Sequence, residues 1–138
     1  MSMKKILLID TGGTICSTNQ GGLTTTISPE GALKHVPSVY ELCNVDYYPL
    51  YSIDSTNMRP EHWIGIAQTI KDNYSGYDGF VVMHGTDTMS YTSAALSYLI
   101  QNSSKPIVLT GSQRPVDMEV TDAKHNIYDS FLYACDED

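Results

Sequence analysis

The chain has 138 residues, 41% of them hydrophobic and 17% charged, which fits one globular domain with its own core and excludes a disordered chain. The formal net charge of −8, with an isoelectric point of about 4.7, argues against nucleic acid and against an anionic membrane surface as partners. The apolar run at 6–9 is too short for a signal-peptide core or a membrane span. Cys16, Cys43 and Cys135 lack CxxC spacing and read as reduced thiols of a cytoplasmic protein, and the four scattered histidines offer no metal-ligand spacing.

In chain order, residues 4–10 predict a first strand, and the Thr-, Ser-, Gly- and Asn-rich stretch 14–28 a mobile loop. Ser28, Pro29 and Glu30 open a short helix as cap, first helical residue and first-turn acid. Residues 45–53 have strand character, with Pro49 pointing to an edge position or an irregularity. Pro60 starts the clearest helix, whose Trp63, Ile66, Ala67, Ile70 and Tyr74 fall on one face. A third strand follows at 79–83. After it comes a helix at 89–100 with Ala94, Ala95, Leu96, Leu99 and Ile100 inward, then a fourth strand at 106–109. Asp122 caps a last helix that turns Ile127, Phe131, Leu132 and Tyr128 inward, and 136–138 is an acidic, solvated tail. Strands alternating with helices predict an α/β fold: a doubly wound, mainly parallel sheet with helices on both faces, Rossmann- or flavodoxin-like.

Two segments carry chemistry. Thr11-Gly12-Gly13-Thr14 follows the first strand, and His84-Gly85-Thr86-Asp87-Thr88-Met89 follows the third. Polar groups gathered where buried strands end are where open α/β sheets bind ligands. Two threonines and an acid there suit a hydroxyl nucleophile better than a phosphate cradle, and neither GxGxxG nor GxxxxGK[ST] occurs. Plainer readings also fit. Gly-Gly can be a tight turn, Thr86-Asp87 a helix cap and Asp54-Ser55-Thr56 a polar turn. His84 can be a structural hydrogen-bonder, Cys16 a packed thiol, and Arg114 the partner of a carboxylate.

With TGGT and HGTDTM in place, and with Ile53-Asp54-Ser55-Thr56-Asn57-Met58, Tyr77-Asp78-Gly79-Phe80 and Thr110-Gly111-Ser112-Gln113-Arg114-Pro115 in the same order, the chain resembles the bacterial-type L-asparaginases, nearest their cytosolic type I branch. The resemblance implies hydrolysis of L-asparagine to L-aspartate and ammonia, with no cofactor or metal, by a cytoplasmic homo-oligomer. Carried over, Thr14 is the nucleophile, and Thr86 and Asp87 form the second reactive pair. Asp87 also meets the substrate's ammonium. Ser55 holds its carboxylate, Asp54 and Thr56 complete that wall, and Ser112 flanks the leaving amide.

Two departures stand out. The family's lid tyrosine has no counterpart in Gly21-Gly22-Leu23-Thr24-Thr25-Thr26, so Thr14 is either activated by another residue or weakly activated. The family's catalytic lysine and smaller C-terminal domain fall after residue 138, so 1–138 is read as the N-terminal domain. Lys4, Lys5, Lys34, Lys71, Lys105 and Lys124 all lie away from the C-terminal ends of the strands in this reading. Two rival functions follow. One is an amino-acid-binding domain without turnover. The other, ranked lower because that protein carries an extra N-terminal domain, is the asparaginase-like subunit of the archaeal tRNA-dependent amidotransferase.

Overall fold

The computed structural model describes residues 2–18 and 26–137; residues 19–25, which include Gly21 to Thr25 of the lid stretch, lie outside them, as do Met1 and Asp138. Among the described residues four strands, β1 (Lys4–Asp10), β2 (Cys43–Pro49), β3 (Gly79–Met83) and β4 (Ile107–Thr110), pair in parallel in the order β2-β1-β3-β4. Alternate residues of β1 point to opposite faces, and each face is apolar. Ile6 and Leu8 pack with Val81 and Met83 under α1 (Pro29–Leu33), α2 (Val39–Leu42) and α5 (Ala123–Ala134). Leu7 and Ile9 pack with Phe80 and Val82 under α3 (Pro60–Asn73) and α4 (Met89–Leu99). The sheet is doubly wound, as the alternation of elements predicts.

Chain direction places the cleft. From β1 the chain moves outward to β2 on one side, and later from β3 to β4 on the other. The C-terminal ends of β1 and β3 therefore flank the point where the winding reverses, the place where such sheets open a ligand crevice.

Several expectations change. The second strand runs Cys43–Pro49, not 45–53, because beyond Pro49 the N–H groups of Leu50 and Tyr51 both turn onto the Asp10 carbonyl. It is an edge strand among the described residues, the first of the two alternatives that Pro49 leaves open. In α5 the buried stripe is Ile127, Phe131 and Ala134. Leu132, about 100° round the helix, is 47% exposed, while Tyr128 packs partly against the core. In α4 the buried residues are Thr92 and Leu96; Ala94 and Leu99 face outward. The Ala123 N–H at the start of α5 donates to Thr121 Oγ1 (3.0 Å), because the Asp122 carboxylate instead accepts the N–H groups of Gln113 and Arg114 (2.8 and 3.1 Å). The described part of the acidic tail, Asp136 and Glu137, is exposed as expected, with Lys4 Nζ donating to the Asp136 carbonyl at 3.3 Å and lying 3.8 Å from Glu137. The described ends of the 14–28 loop are structured, with a 3₁₀ turn at Thr14–Cys16 and a bridge between Ser17 and Thr26. No helix among the described residues is long and apolar enough to cross a membrane.

Candidate active site

Three loops meet at the C-terminal ends of the strands, and glycines set how closely. Gly12 and Gly13 have φ of +106° and +94°, a region that L side chains rarely adopt. A methyl group on Gly12 would lie 2.6 Å from the Ile53 carbonyl oxygen, and one on Gly13 would lie 2.6 Å from Gly85 N. The turn after β1 is thus pressed against the loop after β2 on one side and the loop after β3 on the other. Thr11 pins it from below, its N–H and hydroxyl both donating to the Met83 carbonyl (3.1 and 2.7 Å). Its own carbonyl receives Ile53 N.

This interlock opens a cleft of about 360 Å³ walled by Gly12, Gly13, Thr14, Asp54, Ser55, Thr86 and Asp87, among others. Thr14, Thr86 and Asp87 therefore share one mouth. Ser55 is buried; its carbonyl accepts the Thr88 hydroxyl at 2.7 Å, which ties the second loop to the third. Asp54 accepts both the N–H and the hydroxyl of Thr56 at 2.9 Å, and the Thr56 N–H above all holds its carboxyl below the usual range. Thr56 and Ser112 do not line the cleft. Thr56 turns its hydroxyl to Asp54, and Ser112 donates its own to the Arg114 carbonyl at 2.6 Å.

Thr86 and Asp87 fall within a 3₁₀ turn, Thr86–Thr88, that runs into α4, and neither side chain makes a cap bond. The Thr86 hydroxyl instead accepts from Gln113 Nε2 at 3.1 Å, which leaves its own proton for another acceptor. Gln113, on the loop after β4, also lines the cleft. Sequence reasoning placed it in a motif but gave it no role; its position straight after Ser112 at a strand's end was the available signal. No lysine lines the cleft among the described residues. Lys105 sits at the opposite end of β4, held by the Tyr74 and Tyr77 carbonyls. The Arg114 guanidinium donates to the Val120 carbonyl at 3.3 Å, while its main-chain N–H meets Asp122.

His84 is fully buried, and burial lowers its pKa against a smaller opposing effect of its bond to Gly85. Its Nδ1 lies 2.6 Å from the Gly85 carbonyl and its Nε2 2.8 Å from Thr92 Oγ1, which also accepts the Trp63 indole N–H at 2.8 Å. A carbonyl can only accept, so the ring proton sits on Nδ1 and Nε2 accepts the Thr92 hydroxyl. The ring fixes the third loop to α4 and α3, a structural part. Cys16 is likewise packed, its thiol raised by burial and then by the charge of Asp10. Asp10 itself is raised by burial, partly offset by its bonds to Gly12 and Cys16.

Such a sheet, with hydroxyls and carboxylates walling a cleft where its winding reverses, defines an α/β domain built to hold a small polar ligand. The chain belongs to the asparaginase family: residues 5–138 match the family described as "Asparaginase, N-terminal". It is similar to the solved L-asparaginase of Thermococcus kodakarensis, at 36% identity and a TM-score of 0.88 over 94% of this chain and 40% of that one. For L-asparaginase I of Vibrio cholerae the values are 37% and 0.84, over 96% and 40%. Among curated relatives, a glutamyl-tRNA(Gln) amidotransferase subunit of Metallosphaera sedula is 42% identical over 94% of this chain and 30% of its own length. The corresponding protein of Pyrococcus furiosus is 43% identical over 88% and 29%. The chain thus spans about a third of the length of the curated relatives it matches.

Proposed function

We propose that this domain supplies the nucleophile and most of the substrate pocket of an amidohydrolase that converts L-asparagine and water to L-aspartate and ammonia. The observation that carries the reading is the interlock at Gly12, Gly13 and Gly85, which gathers Thr14, Thr86, Asp87, Asp54 and Ser55 around one cleft. Its volume of about 360 Å³ sits at the low end of the roughly 300–1,000 Å³ of small-molecule sites, a fit for an amino-acid amide. An amide needs a positioned nucleophile, donors for the developing oxyanion and a proton for the departing nitrogen. Thr14 attacks the side-chain amide carbon, ammonia leaves, and water releases aspartate from the acyl-enzyme. Asp87 pairs with the substrate's ammonium, while Ser55, backed by Asp54 and Thr56, takes its carboxylate. Thr86, its oxygen already engaged by Gln113, donates its proton toward the reacting group. Ser112 contributes through its main chain beside the leaving amide. The working protein is a cytoplasmic homo-oligomer completed by a second domain.

The curated relatives favour a second reading, in which the ammonia is passed to a tRNA-bound substrate, as the name glutamyl-tRNA(Gln) amidotransferase implies for those proteins. Aspartate formation and ammonia release by the whole protein, followed together, separate these readings. Turnover of L-asparagine alone supports the hydrolase. Aspartate formation that depends on added glutamyl-tRNA(Gln), with the nitrogen carried to the tRNA-bound residue and not released, supports the amidotransferase, and asparagine binding without turnover marks a binding domain.

A further inference from the structure

Asp10 ends β1 and is only 7% exposed, yet among the described residues no cation pairs with it. A buried carboxylate is costly unless its oxygens are hydrogen-bonded. One oxygen, Oδ1, meets two donors that bracket the reactive turn. Gly12 N–H donates to it at 2.9 Å from before Thr14, and the Cys16 thiol at 3.7 Å from after it. The thiol also lies 3.5 Å from Met83 Sδ, so it is held between β1 and β3. Between these anchors the backbone passes through two positive φ values and one 3₁₀ turn, closed by Ser17 N onto the Thr14 carbonyl at 2.9 Å. The Asp10 carbonyl is fixed in turn by the N–H groups of Leu50 and Tyr51, both at 3.0 Å. The main chain of Asp10 is therefore clamped by the edge strand's exit while its side chain clamps the Thr14 turn.

We propose that Asp10 is a positioning residue for Thr14: its Oδ1 holds Gly12 and Cys16 together and so fixes where the Thr14 hydroxyl stands in the cleft. This rests on the reading of Thr14 as nucleophile. Asp10 does not line the main cleft, so it acts through the turn and not on substrate. Its removal moves the nucleophile while leaving the groups assigned to the substrate's charges, Ser55 and Asp87, on loops of their own.

The test is steady-state kinetics of L-asparagine hydrolysis by the whole protein, with melting temperature as a check on folding. Asp10→Asn keeps an oxygen acceptor of the same reach, whereas Asp10→Glu moves the acceptor by one methylene and Asp10→Ala removes it. A displacement of a reacting group by about 1 Å costs roughly 100-fold. Asp10→Glu and Asp10→Ala are expected to lower kcat by about 10- to 100-fold, with KM within about threefold. Asp10→Asn is expected to recover most of kcat. If Asp10→Ala does not fold, the contrast between the Asn and Glu variants decides alone. Wild-type kcat in a folded Asp10→Glu protein, or a loss confined to KM, would overturn the proposal. Undiminished turnover by Thr14→Ala would instead overturn the nucleophile reading beneath it.

Discussion

At Gly13 the steric and conformational demands coincide. A side chain there would be strained by φ of +94° and would press within 2.6 Å of Gly85 N. Gly13→Ala is expected to cost about 1–3 kcal/mol from the backbone alone and to push the first and third loops apart. Denaturant unfolding measures the stability loss, and ammonia release the lost activity. His84 gives a pH dependence with a definite sign. Its folded pKa lies below the ordinary value of 6.5, so as pH falls from 6.5 toward that lowered value the unfolded chain binds more protons. The stability it contributes is full above pH 6.5 and is lost through that window. The difference in melting temperature between wild type and His84→Gln is expected to narrow between pH 7 and pH 5; a constant difference would refute this. The two TGGT glycines, and the place of Thr14 and Thr86 at strand ends, were legible because each is set by its local sequence. The second role of Asp10 and the contact of Gln113 with Thr86 were not, since each depends on residues brought together only by folding.

Helices and strands were legible where periodicity was strong. β1 and β3 run as expected, and α3 buries Ile66 and Ile70 on the face their spacing marks. Errors arose where an apolar residue sat beside the true stripe, as Leu132 does beside Phe131. Thr92 was missed because a threonine scores as polar, although its hydroxyl, shared by His84 and Trp63, makes its burial tolerable. The corrected α5 face has a direct consequence. Phe131→Ala is expected to destabilise by about 3–5 kcal/mol, and Leu132→Ala by no more than about 0.5 kcal/mol. Chemical unfolding of the two variants checks the contrast, and equal losses would show that the helix is rotated from the face described.

At the scale of the molecule, the cleft end of the sheet is polar, while its β4 margin is apolar and, among the described residues, unpaired. Among the described residues β4 bonds only to β3, and Tyr133, 68% exposed, borders Ile107, Val108 and Leu109 along that edge. Open edges and apolar margins favour association. Residues 1–138 alone are therefore expected to scatter light as a dimer or larger, above the 15.2 kDa of one chain. They are also expected to release almost no ammonia, because no lysine lines the cleft among the described residues and positioned proton transfer is worth about 10²–10⁴-fold. A clean monomer with brisk turnover would contradict both. The central claim is that Thr14 is the nucleophile held at the mouth between β1 and β3. Ammonia release from L-asparagine by a folded Thr14→Ala variant of the whole protein tests it most directly. Loss of nearly all turnover, with the melting temperature unchanged, is the expected result; near-normal turnover would contradict it.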